Sequence, residues 1–131
     1  MAAPGETDLA EMLATLRVVR REGTFTMGES DDAPAAVVAR AHARIDEEES
    51  TTYVVEVADA VAAGWEVPVE MAWLTLAVHS SLEAVGLTAH VSGVLAQEDI
   101  PCNVLAGYHH DHLLVPLDRA DRAIELLTAG R

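Results

Sequence analysis

The densest set of chemically capable side chains is His109-His110-Asp111-His112. In an extended chain, His109 and Asp111, or His110 and His112, point to one side and offer donors to a divalent metal. A closed metal site needs three or four converging ligands, and no other stretch supplies a comparable cluster. His79 stands roughly 20 Å away, at the far end of its own strand, if that strand and the one after the cluster run parallel. A polar hairpin tip is the preferred reading, with a His-hairpin metal site as the lesser alternative. His79-Ser80-Ser81 suggests a base beside a nucleophile. Sequence neighbours on a strand point oppositely, however, and no Gly-x-Ser-x-Gly elbow is present. Cys102 begins a strand expected to be buried, without a nearby arginine or histidine to make it a thiolate. No catalytic residue, metal or cofactor is expected, and the chain reads as a non-enzyme.

Charge narrows the function classes further. The chain has 131 residues, 22 acids and 8 basic residues, for a formal charge of −14. Every basic residue is arginine. Phosphate backbones and anionic membranes require clustered positive charge, so neither nucleic acid nor a membrane is an expected partner. No apolar run approaches the roughly 18 residues of a membrane span. The start, MAAPGETDLAEM, lacks the basic and apolar regions of a secretion signal. A single cysteine excludes an internal disulfide framework. These features predict a cytoplasmic globular protein.

The elements that must position the reactive residues follow from periodicity. Leu9, Met12, Leu13 and Leu16 recur at i, i+3, i+4 and i+7 and predict a helix, with Arg17, Arg20 and Arg21 at its C-terminal pole and Gly23 closing it. Thr24–Gly28 reads as a strand. Asp32 is placed to cap a helix carrying Val37, Val38, Ala41 and Ile45, which frays into the acidic run Asp46–Glu49. Thr51–Val57 is a strand and Asp59–Ala63 a short helix stopped by Gly64. Trp73–His79 alternates, with Leu74, Leu76 and Val78 on one face. A loop over Ser80–Gly86 leads to a helix bearing Leu87, Val91, Val94 and Leu95. Cys102–Ala106 and His112–Pro116 are strands joined by a Gly107–Asp111 turn. Asp118 is placed to cap a last helix with the stripe Ala120, Ala123, Ile124 and Leu127. His90 flanks its helix stripe as a boundary or interface residue, and Trp65 and Trp73 read as core or subunit-contact residues.

From residue 73 the order is β-α-β-β-α, and the first half reads as a degenerate copy. This predicts an α+β fold of tandem ferredoxin-like (βαββαβ) units, with helices on one face of antiparallel sheets. The last strand of the second unit is missing, so another strand must cover that edge. A strand from the first half is preferred over another subunit.

The run from Val78 to Pro116, VHSSLEAVGLTAHVSGVLAQEDIPCNVLAGYHHDHLLVP, resembles an ACT domain, the small ligand-sensing module of amino-acid metabolism. The resemblance is to stand-alone bacterial tandem ACT-like proteins of undefined role. The run is also similar to the last ACT repeat of the animal arginine sensors, the CASTOR proteins. It implies a degenerate N-terminal ACT-like unit over 1–72 and a C-terminal ACT domain over 73–131.

The resemblance also implies a ligand site at the turn before the second-half helix. Its expected contacts are Ser80, Ser81, Glu83, Val85, Gly86, Leu87, Asn103, Tyr108 and Asp111. The chemistry is consistent with that role. A glycine before a helix lets a ligand approach backbone N–H groups, which suit a carboxylate together with the serine hydroxyls. Asn103 both donates and accepts, while Glu83 and Asp111 would favour a cationic ligand. Ala84 stands where the arginine sensors carry an acid, so arginine specificity is not carried over. The leading expectation is a non-enzymatic amino-acid-binding regulatory or sensor protein with its ligand at a unit or subunit interface. It is expected to act as a homodimer and to pass its output to an unidentified protein partner. A ligand-free structural or oligomerisation module is the alternative.

Overall fold

The computed structural model describes residues 4–78 and 86–129. In chain order its elements are α1 (Pro4–Thr15), β1 (Arg17–Ser30), α2 (Ala35–Arg40), β2 (Ala43–Asp46), β3 (Thr51–Glu56) and α3 (Val57–Ala62). Then come β4 (Met71–Ala77), α4 (Leu87–Ala96), β5 (Asn103–Ala106), β6 (Asp111–Pro116), a 3-10 turn (Leu117–Arg119) and α5 (Ala120–Thr128). No helix among the described residues is long and apolar enough to cross a membrane.

The six strands make one sheet in the order β2-β3-β1-β4-β6-β5, and every pairing is antiparallel. In a βαββαβ unit the fourth strand lies beside the first. β1, α2, β2, β3, α3 and β4 complete one such unit, with β4 beside β1. β4, α4, β5, β6 and α5 begin a second, and the place for its fourth strand is also taken by β1. Phe25–Ser30 pairs with β3, while Arg17–Arg21 pairs with β4, across an irregularity between Arg21 and Phe25. Gly23 lies inside that irregularity at φ +113°, a conformation in which glycine is not penalised. The exposed edge foreseen in the second half is thus covered from the first half, and β1 and β4 serve both units. The chain has the α+β, tandem ferredoxin-like architecture.

Antiparallel partners share a face, so the register divides the side chains. Ala72, Leu74, Leu76, Leu113 and Val115 face the helices and join Met12 and Leu16 of α1, Leu87, Val91 and Leu95 of α4, and Ala123 and Leu127 of α5 in the largest buried cluster. On the same side, Tyr53 and Val55 pack with Val37 of α2 and Ala60 of α3. All five helices therefore lie on one face. On the other, Phe25, Val54, Met71, Trp73 and Leu114 are buried with Ala43 and Leu105 packed against them, from the two outermost strands. No described helix covers this second cluster, so its burial comes from the sheet curling inward on that face.

Three sequence expectations are corrected. The first helix ends at Thr15, not at Gly23, and Arg17, Arg20 and Arg21 lie on β1. Tertiary pairing overrides the helical stripe, because Val18 and Val19 are β-branched and the β4 edge needs a partner. Secondly, the helix expected to reach Ile45 ends at Arg40. Ala43–Asp46 is an edge strand instead, joined to β3 by a turn closed by the Glu47 N–H donating to the Ser50 carbonyl at 2.9 Å. Acids at a helix C-terminus oppose its dipole, whereas a hairpin turn leaves them solvated. Thirdly, neither expected cap forms. Pro34 and Arg119 hold the cap positions without a side-chain bond, and Asp32 accepts from the Ser30 hydroxyl at 3.1 Å.

Candidate functional site

Two places bring chemically capable groups together. The first is the N-terminal end of α4. At the C-terminal end of β4, which precedes α4 in the chain, Asp111 pairs with Leu76 and Ala106 pairs with Asp111. Gly86 begins α4 at φ +100°, with its carbonyl accepting the His90 N–H at 2.8 Å. Leu9 of α1 packs beside it, since a Cβ on Gly86 would lie 3.1 Å from Leu9 Cδ2. Leu87 is buried in the helix-side core. Asp111 is half-buried and shares the face of Leu76, the face on which α4 packs.

The other expected contacts divide. Ser80, Ser81, Glu83 and Val85 lie outside the described residues, as does His79. Asn103 is exposed and pairs with Leu114, so it shares the helix-free face and not that of Asp111. Tyr108 is 81% exposed at the hairpin tip, edge-on to His109 at 4.9 Å between ring centroids. Leu87 and Asp111 thus share the helix-bearing side of the sheet, whereas Asn103 and Tyr108 do not join them.

β4 and β6 run antiparallel, which corrects the parallel arrangement assumed from the sequence. The hairpin lies alongside the C-terminal end of β4, not at its far end. Among the described residues, no three His, Cys, Asp or Glu side chains are grouped to hold a metal ion. His90 is exposed, and Cys102 is a half-buried free thiol.

The second place lies on the inner face of the curled sheet. Trp73 is buried among Phe25, Met71 and Leu114. Its indole N–H donates to His112 Nδ1 at 3.2 Å, and the Thr75 hydroxyl lies 2.9 Å from the same nitrogen. The Arg21 guanidinium carbon stands 4.0 Å from the Trp73 ring centroid, a cation–π distance. Arg21 Nη1 donates to His42 Nδ1 at 2.9 Å, and the His42 ring packs edge-on to Phe25 at 5.0 Å. An indole and a guanidinium can only donate, so both histidines present Nδ1 as an acceptor and carry the proton on Nε2. Burial, then the nearby positive charge of Arg21 and His110, holds His112 below the usual imidazole range, with Asp111 acting the other way.

Sequence reasoning missed this grouping. The alternation of Trp73 and Thr75 was visible, but placing Arg21 on a helix hid its face. His42 sits in a bend between α2 and β2, where no periodicity marks it.

Comparison with known proteins agrees with this architecture. Residues 4–71 match one model of the ACT domain and residues 69–129 match another. The chain belongs to the ACT domain family. It is similar to a Vibrio cholerae protein of unknown function, a possible transport protein, at 34% identity over 94% of this chain and 95% of that one, with a TM-score of 0.84. A protein from Agrobacterium tumefaciens shares the fold at 15% identity, over 86% of each chain, with a TM-score of 0.63. The ligand-free regulatory subunit of aspartate kinase from Thermus thermophilus shares the fold at 9% identity, over 84% of this chain and 92% of its own, with a TM-score of 0.58. No curated protein matches the chain.

Proposed function

We propose that the protein is a non-enzymatic, ACT-type regulatory protein that binds a small molecule, with amino acids as the expected class. The observation that carries this reading is the match of ACT models across residues 4–129, together with the left-handed Gly86 that opens α4. The likeness to a regulatory subunit of aspartate kinase supports a regulatory rather than catalytic role. The α4 amide groups suit a ligand carboxylate, and Asp111 suits its ammonium or another cationic group. A ligand bridging this end of the sheet and a second copy would favour one arrangement by its differential affinity. In this reading the protein is a cytoplasmic homodimer that signals through a protein partner.

Thermal-shift measurements against the common amino acids test it. One or a few should raise the melting temperature, and Gly86→Asp and Asp111→Ala should remove that response. A flat panel, equally flat in both variants, would sink the proposal.

A ligand-free assembly module is the second reading, favoured by the edge strands β2 and β5, where Ile45 and Val104 are exposed. Sedimentation separates the two. A dimer indifferent to every amino acid supports assembly alone, and a ligand-dependent change supports sensing.

A further inference from the structure

We propose that the inner face of the curled sheet carries a second small-molecule site, built by Arg21, His42 and His112 around Trp73, which takes an oxyanion (a carboxylate or a phosphate).

The chain carries −14, yet this face gathers donors. Arg40, Arg44 and Arg122 each contact a carboxylate within 3.0 Å, and Arg20 reaches Asp121 at 3.2 Å. Arg21 has no ion pair among the described residues; it lies on Trp73 and gives one N–H to a neutral imidazole. Stacking fixes the guanidinium plane and leaves its other N–H groups for a ligand, so little side-chain freedom is lost on binding. With Nδ1 of His42 and of His112 engaged as acceptors, each ring's remaining polar group is an Nε2–H donor; that of His112 lies beside the Gly107 turn, so His112 serves the site by fixing Trp73. Half-buried Arg21 and exposed His42 border the cluster, and the buried floor of Phe25, Trp73 and Leu114 keeps it rigid. An oxyanion inserted between Arg21 and His42 would accept from the guanidinium directly and, with the imidazole proton exchanged from Nε2 to Nδ1, from His42, and would relieve the contact of a cation with a weak acceptor.

The surrounding charges set the pH dependence. On this face β1 offers Arg17, Arg21 and Glu29, which pair with Ala77, Trp73 and Thr52, and β3 offers Glu56, which pairs with Phe25. β4 presents Met71, Trp73, Thr75 and Ala77, none of which titrates near neutrality. β5 contributes uncharged Asn103 and Leu105, and the hairpin brings the His110 ring to 6.5 Å from that of His112. Asp111 precedes His112 but pairs with Leu76 on the opposite face. Protonating His112 adds a positive charge to this face, so binding should strengthen as pH falls and should take up protons.

Nuclear magnetic resonance titration of the full chain with inorganic phosphate, and separately with acetate, at fixed ionic strength tests the site. The Trp73 indole and His112 ring signals should move saturably. Arg21→Gln should weaken binding at least about tenfold, and Arg44→Gln, which removes a cation paired with Asp46, should not. His42→Ala, at an exposed side chain, serves if Arg21→Gln does not fold. Phosphate alone saturating assigns a phosphorylated ligand, and acetate saturating equally assigns a carboxylate. Neither anion saturating, or shifts indifferent to Arg21→Gln and His42→Ala, overturns the proposal.

Discussion

Leu9 of α1 lies against Gly86, the residue that opens α4, so closely that a Cβ on Gly86 would come within 3.1 Å of Leu9 Cδ2. The N-terminal helix and the start of the second-half helix are thereby locked in one arrangement, and the glycine is required twice, for its φ of +100° and for its lack of a side chain.

Gly86→Ala should therefore destabilise the protein by about 1–3 kcal/mol, combining left-handed strain with displacement of Leu9. In a Leu9→Ala background the penalty should shrink to the backbone part, giving a coupling of about 0.5 kcal/mol or more in a double-mutant cycle read by urea unfolding. Strict additivity would mean that the two residues do not meet.

A fragment from Val69 to Arg131 should fail to fold as a monomer. It keeps β4, β5, β6, α4 and α5 but loses Arg17–Arg21, which pairs with β4, and also Met12 and Leu16 from the core. Circular dichroism with sedimentation should show an unfolded or self-associated species. A cooperatively unfolding monomer would refute the sharing of β1.

His112 gives a pH dependence whose sign follows from its surroundings. Burial and the charge of Arg21 favour the neutral ring in the folded protein, so below about pH 6.5 the unfolded chain binds the proton first. Stability contributed by this group should be full near pH 8, fall as pH drops through 6.5, and level once the folded ring also protonates. His112→Gln should flatten that part of the profile in denaturant titrations at several pH values. An unchanged slope would remove His112 as the cause.

Gly28→Ala should also be costly, because its new Cβ would collide with the Trp65 ring. Trp65 packs with Tyr53 at 6.1 Å between centroids and closes the small core under α2 and α3. A loss of about 1–3 kcal/mol is expected, with a red-shifted tryptophan emission as Trp65 is pushed towards water. Wild-type stability and emission would show that the indole moves aside freely.

The sequence was most legible where one face of a strand or helix is buried and the other is not. Leu74 and Leu76 alternate with Trp73 and Thr75, and Leu87, Val91 and Leu95 repeat at helical spacing; both patterns survive because each element is amphipathic on its own. It was least legible over residues 17–30. There Val18 and Val19 fit a helix or a strand, and the decision belongs to a partner more than 50 positions away, as the pairing of Val19 with Thr75 shows. The edge strand Ala43–Asp46 was hidden for the same reason, since four residues are too few to show a period.

Of the candidate site, the sequence alone determined which residue types were present and that Gly86 precedes a helix, because those are properties of local chain chemistry. It also determined the acidic balance, which arises from counting. Only the tertiary structure decided that Asp111 and Asn103 project from opposite faces, that Arg21 lies on Trp73, and that one strand serves two units. Those relations depend on pairing register, and a shift of one residue in register exchanges the faces of a strand without changing a letter of the sequence.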